Sequence, residues 1–91
     1  MSVAETIQRK LTDRFAPTRL VILDESHRHA GHAGARPEGE THFAVTIVAA
    51  AFAGLNRVAR QRLVYQTLVD ELATQVHALS LTTLASDEDQ G

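Results

Sequence analysis

Apolar residues recur every fourth position near the start of the chain, at Val3, Ile7, Leu11 and Phe15, with Glu5, Gln8, Arg9 and Asp13 on other faces. That spacing predicts an amphipathic helix over residues 3–15. Ser2 is its expected N-cap, and Glu5 three residues on completes a capping-box pattern. Pro17 is the expected stop, because its ring and missing N–H cannot continue a helix. The period then changes. Arg19 to Asp24 (RLVILD) is a short, β-rich apolar run, and Phe43, Val45 and Ile47 alternate within His42 to Val48. Both segments read as strands. The polar, Gly- and His-rich stretch from His27 to Glu40 joins them. It is far longer than the usual hairpin connection of about two to five residues, and such loops are either functional or disordered.

Ala49 to Gly54 reads as a short helical turn anchored by Phe52 and ended by Gly54. Asn56 then caps the longest predicted helix, Arg57 to Val76. Its apolar stripe is Val64, Leu68, Leu72 and Val76, widened by Val58, Tyr65 and Val69. Ala78 to Thr83 is a third strand, and Ser86 to Gly91 (SDEDQG) an acidic tail expected to be mobile. The order α-β-β-α-α-β predicts a single α+β domain of two layers over residues 1–85, its three-stranded sheet covered on one face by the longer helices. In so small a core, truncating Phe43, Leu72 or Leu79 is expected to cost about 2–5 kcal/mol each.

Composition narrows what such a domain can do. Ninety-one residues make one domain, and 44% hydrophobic residues is ordinary for a globular chain. No stretch approaches the ~20 apolar residues that cross a bilayer. MSVAETIQRK also lacks the basic region and apolar run of a secretory signal, so a cytoplasmic location is the expectation. The chain has no cysteine, which excludes disulfides, thiol nucleophiles and clusters ligated by its own thiolates. Any metal chemistry must use histidine or carboxylate. A net charge of −2 provides no global attraction to nucleic acid, so such a role needs a local basic patch.

Five histidines are many for this length, and their placement matters more than their number. DESHRHAGH, Asp24 to His32, puts His27, His29 and His32 within six residues. They read either as a solvated loop or as imidazole ligands for zinc, copper, nickel or iron. His77 lies at the seam between the long helix and the last strand. It reads as a helix C-cap interacting with the dipole, or as a ligand held on a rigid frame. His42, in GETHF, reads as support that packs or braces the loop. Arg57, Arg60 and Arg62 in NRVARQR form a basic patch at a helix start, suited to nucleic acid or to an acidic partner. Glu25, Glu40 and His42 are not joined by a nucleophile and an orienting group, and Ser26–His27 is adjacency only. No enzyme activity is expected.

Taken in order, DESHRHAGH, GETHF with its apolar strand, FAGLNRVARQRLVYQTLVDEL and VHALSL resemble the BolA family, over about Val3 to Thr83. The resemblance implies the same α-β-β-α-α-β architecture, in a type II KH-like topology. It also implies partnership with a monothiol glutaredoxin and a shared [2Fe–2S] cluster that is held, regulated or passed on. The glutaredoxin side would provide a cysteine and a glutathione thiolate. The BolA-like side would provide the seam histidine, here His77, and a loop residue, here His29 by the Glu-Ser-x-x-His spacing or His32. The isolated chain, a monomer or weak homodimer, is expected to hold no cluster. Imidazole binds metal only when neutral, so a shared cluster should be lost as pH drops through the ordinary histidine range near ~6.5. Arg60-Gln61-Arg62 stands where the family usually has Arg-His-Arg. Two other readings are a transcriptional regulator that binds double-stranded DNA through Arg57, Arg60 and Arg62, and a zinc or copper site within the loop from His27, His29 and His32.

Overall fold

The structure is a computed structural model that describes residues 2–25, 42–74 and 76–89. Its elements are α1 (Val3–Phe15), β1 (Arg19–Asp24), β2 (His42–Val48), α2 (Arg57–Thr67), α3 (Val69–Thr74) and β3 (Ala78–Leu84). Short 3-10 turns lie at Ala50–Phe52 and Ser86–Glu88. The capping box at the start of α1 is formed: the Glu5 N–H donates to Ser2 Oγ at 3.0 Å, and the Ser2 N–H to the Glu5 carboxylate at 3.4 Å. Ser2 Oγ also donates to the Glu5 carboxylate at 3.0 Å, and this bond, then that from the Ser2 N–H, favours the charged form and lowers the Glu5 pKa. The helix ends at Ala16, whose φ of 45° turns the chain into the left-handed region just before Pro17.

The sheet order is β1-β2-β3, with β1 antiparallel and β3 parallel to β2. Parallel neighbours need a crossover connection, and α2 and α3 supply it. Register decides what each face carries. Leu20 and Ile22 pair with Ile47 and Val45, while Phe43, Val45 and Ile47 pair with Leu79, Leu81 and Thr83. These residues line one face. Against it lie Val3, Ile7, Leu11 and Phe15 of α1, Phe52 of the turn, Val64 and Leu68, all buried. The Phe15 and Phe52 rings meet at 5.2 Å. On the other face Val21, Leu23, Ser80 and Thr82 are exposed. The predicted two-layer α+β domain is therefore what the chain forms.

Three expectations are corrected. The helix predicted from Arg57 to Val76 is interrupted at Leu68 (φ −106°, ψ 20°) and ends at Thr74. Thr67 Oγ1 donates to the Leu63 carbonyl at 2.8 Å, a back-bond that bends helices. The hydrogen-bond ladder nevertheless passes through the bend, from Leu68 N–H to Val64 and from Leu72 N–H to Leu68. Secondly, Val58, Tyr65 and Val69 do not widen the buried stripe. They are 57%, 39% and 58% exposed, because Val64 and Leu68 turn the helix so that these three face solvent. Leu72 and Leu79 pack against the core but are only partly buried, so their truncation should cost less than that of Phe43.

Thirdly, the acidic segment from Ser86 begins as part of the fold. Glu88 accepts from the Ala85 N–H at 2.6 Å and pairs with Arg60 at 2.6 Å. Asp89 pairs in two places with Arg19, at 2.6 and 3.1 Å. The Ala85 N–H, and after it Arg60, holds the Glu88 pKa below the usual carboxylate value, and the Asp89 hydrogen bonds raise that of Arg19. A depressed carboxylate pKa contributes stability that is present at neutral pH and lost as pH falls through the depressed value. Thermal unfolding should therefore show a loss of stability from about pH 5 downwards. A Glu5→Gln/Glu88→Gln variant should have a flatter profile, and an unchanged profile would rule these two groups out. Among the described residues, no helix is long and apolar enough to cross a membrane.

Candidate functional site

His77 is placed from both sides. Val76 before it is buried in the core, 5% exposed, and its N–H donates to the Glu71 carbonyl at 2.8 Å, five residues back. Ala78 after it opens β3 and pairs with His42, the first residue of β2. The parallel register thus brings two histidines 35 positions apart to the same end of the sheet. Their rings stack with centroids 6.3 Å apart and planes inclined by 25°, within the range of offset stacking. His77 is exposed and His42 half-buried. Nothing in the described fold covers the outward ring.

The two ends of the long connection meet at the same edge. The Glu25 N–H donates to the His42 carbonyl at 2.8 Å, so the segment enters and leaves beside the histidine pair. His27, His29, His32 and Glu40 lie outside the described residues. Among the described residues, no group of three or more His, Asp or Glu is arranged to hold a metal ion. The donor chemistry that the described residues bring to this end of the sheet is two imidazoles in company.

The basic residues are at the opposite end of β3. Arg57 and Arg62 are exposed at the start of α2, where the Asn56 side chain caps the helix by accepting from the Ala59 N–H at 2.8 Å. Arg60 differs. Its side chain is 11% exposed, and its donors go to the Leu55 carbonyl at 2.8 Å, the Thr83 carbonyl at 3.2 Å and Glu88. It ties α2, β3 and the C-terminal turn together. At ~3.3 Å per strand residue, Thr83, whose carbonyl accepts from Arg60, sits about 20 Å along β3 from His77. The structure brings His42 and His77 together and keeps the arginine group separate.

A mixed three-stranded sheet with helices on one face defines a small α+β domain, and its paired histidines lie at one end of two parallel strands. Comparison with known proteins gives the same fold class. The profile of the family described as BolA-like protein matches residues 11–88. A relative from Vibrio cholerae, named DNA-binding transcriptional regulator BolA, is 46% identical over 86 residues, 94% of this chain and 77% of that protein. BolA1 from Arabidopsis thaliana superposes with a TM-score of 0.88 at 44% identity, covering 98% of this chain and 97% of that one. The BolA domain of SufE1, from the same plant, superposes with a TM-score of 0.87 at 40% identity, covering 98% of each. The chain belongs to the BolA family.

The juxtaposition of His42 with His77 is what sequence reasoning missed, since it ranked packing or loop-bracing above ligation for His42 and gave it no neighbour. A signal was available. His42 opens one alternating apolar strand and His77 lies one residue before another, so pairing the two strands in parallel brings both histidines to the same end of the sheet, one register step apart.

Proposed function

We propose that this chain is a non-enzymatic binding module that joins a monothiol glutaredoxin in the cytoplasm and lends histidine ligands to a shared [2Fe–2S] cluster, which it holds, regulates or passes on. One observation carries this reading: His77, the stacked His42 and both ends of the histidine-rich loop converge on one edge of the sheet. His77 would be one ligand and His29 or His32, four and seven residues beyond Glu25, the other. His42 holds the His77 ring by stacking. The donor set fits the cargo. A chain without cysteine can offer cluster iron only imidazole or carboxylate, and two imidazoles on one iron are an established arrangement. The thiolates would come from the partner's cysteine and from glutathione.

The test is a spectroscopic titration of a cluster-loaded monothiol glutaredoxin with this chain and with its His29→Ala, His32→Ala and His77→Ala variants. The expected result is a new visible spectrum with the parent chain, lost with His77→Ala and with only one of the loop variants. An unchanged spectrum on mixing, or indifference to His77→Ala, overturns the reading.

A second reading is favoured by the exposure of Arg57 and Arg62 and by the regulator name that the Vibrio cholerae relative bears. In it, the start of α2 binds duplex DNA. Each phosphate contact contributes about 0.9 to the slope of log affinity against log salt. Arg57→Ala/Arg62→Ala should then reduce that slope by about 2. Arg60→Ala should act mainly on stability, because its donors are used within the fold. Weak binding that is indifferent to salt removes this reading. The separation of the two ends lets both be occupied at once.

A further inference from the structure

Glu71 is the one charged residue buried among the described residues, 7% exposed, and its partner reaches it from another helix of the same layer. Lys10 Nζ of α1 donates to both carboxylate oxygens, at 2.8 and 3.0 Å, while the exposed Asp70 stands 3.9 Å from the same ammonium. The pair is only partly buried, with the Lys10 side chain 27% exposed, and is weak evidence for stability. The desolvation of both groups offsets their attraction, and apolar residues of similar volume are often as stable or more so. Its better-attested use is to fix register.

α3 has six residues, less than two turns, and follows the bend at Leu68. The ladder of α2 continues into it through the Leu72 N–H to Leu68 bond, and the Lys10–Glu71 pair adds a side-chain hold on its rotation. The same residue that takes the Lys10 ammonium also accepts, through its carbonyl, the Val76 N–H that sets the chain's path into His77. Glu71 therefore has its side chain held by α1 and its backbone holding the residue before the exposed histidine.

We propose that the Lys10–Glu71 ion pair is a positioning device for His77, fixing the rotation of α3 so that the imidazole emerges beside His42 at the sheet edge. This rests on the reading of His77 as a ligand, and the two are separable by experiment. Replacing the pair by apolar residues, Lys10→Met/Glu71→Leu, distinguishes positioning from stabilisation. Thermal unfolding should show a melting temperature at or above that of the parent. The ring resonances of His77 and His42 in the isolated chain should nevertheless move towards those of unstructured histidine. The affinity for cluster-loaded glutaredoxin should fall by about tenfold or more, as for other residues that orient a metal ligand. Lys10→Arg, which keeps the charge and the donors, should retain the parent ring shifts and most of the affinity.

A folded double variant whose histidine shifts and cluster affinity stay within about twofold of the parent, well short of the tenfold loss expected of an orienting residue, overturns the proposal. If the double variant fails to fold, Glu71→Gln gives the same measurement with the volume retained. If the parent chain produces no cluster spectrum, the ligand reading fails. The ring shifts then still decide whether the pair positions His77.

Discussion

His77→Ala is expected to lower the affinity of the chain for a cluster-loaded monothiol glutaredoxin by more than about 100-fold, because loss of a ligand exceeds the 10–100-fold cost of losing a residue that only orients one. The fold should survive. His77 is exposed, and as a helix C-terminal group it would contribute no more than about 1 kcal/mol through the helix dipole. If its role were only that of a cap, the variant would melt slightly lower and leave the cluster spectrum intact. The two roles thus predict opposite patterns of melting temperature and visible absorption. His42→Ala should fall between them, since it removes the ring on which His77 stacks and leaves the ligand in place. His77→Cys supplies a further check. A thiolate is an ordinary ligand for cluster iron, so it should restore binding with an altered spectrum and a lower reduction potential. A cysteine variant no better than alanine would mean that position 77 faces no iron.

The local elements were legible because their signals are local. The i+4 spacing and the Ser2–Glu5 box bound α1 at Val3 and Phe15, and the alternation of Phe43, Val45 and Ile47 names the buried face of β2. The crossover helix was harder for a physical reason. It carries two apolar stripes, and periodicity alone does not say which one meets the sheet: Val64 and Leu68 do, while Val58, Tyr65 and Val69 do not. Its interruption at Leu68 accompanies a Thr67 hydroxyl that donates to the Leu63 carbonyl one turn back, a bond that the same residue in a straight helix need not make. The ion pairs were out of reach altogether. Lys10–Glu71, Arg19–Asp89 and Arg60–Glu88 join residues 61, 70 and 28 positions apart, and each depends on how the elements pack. Arg60 shows the consequence. In the sequence it belongs with Arg57 and Arg62 as one basic patch, whereas in the fold its donors bind two backbone carbonyls and a carboxylate. The candidate site was legible as a set of histidines and not as a place, because the neighbour of His77 is set by the parallel register of β2 and β3.

Phe43→Ala should have the largest effect on stability, a loss of about 3–5 kcal/mol in urea or thermal unfolding. At roughly 0.05–0.15 kcal/mol per residue, a chain of this length has a total of about 5–14 kcal/mol, so one substitution removes a large share of it. The side chain is 2% exposed in the central strand, where β1 and β3 flank it and α1 lies above the same sheet face, so the surroundings cannot close over the cavity from one side alone. Phe43→Leu, which keeps most of the volume, should cost less than about 1.5 kcal/mol. Phe43 also links the core to the site. It follows His42 directly and pairs with Leu79, two residues after His77, so the packing that holds it also holds the two histidines in register. The leucine variant should therefore keep the stacked pair and the cluster spectrum. The alanine variant should show histidine ring resonances broadened at temperatures well below its melting point, because the strand ends that carry both rings lose their common anchor. If Phe43→Ala costs less than about 1 kcal/mol, well below the range for a buried phenylalanine, the central strand is not what keeps His42 beside His77.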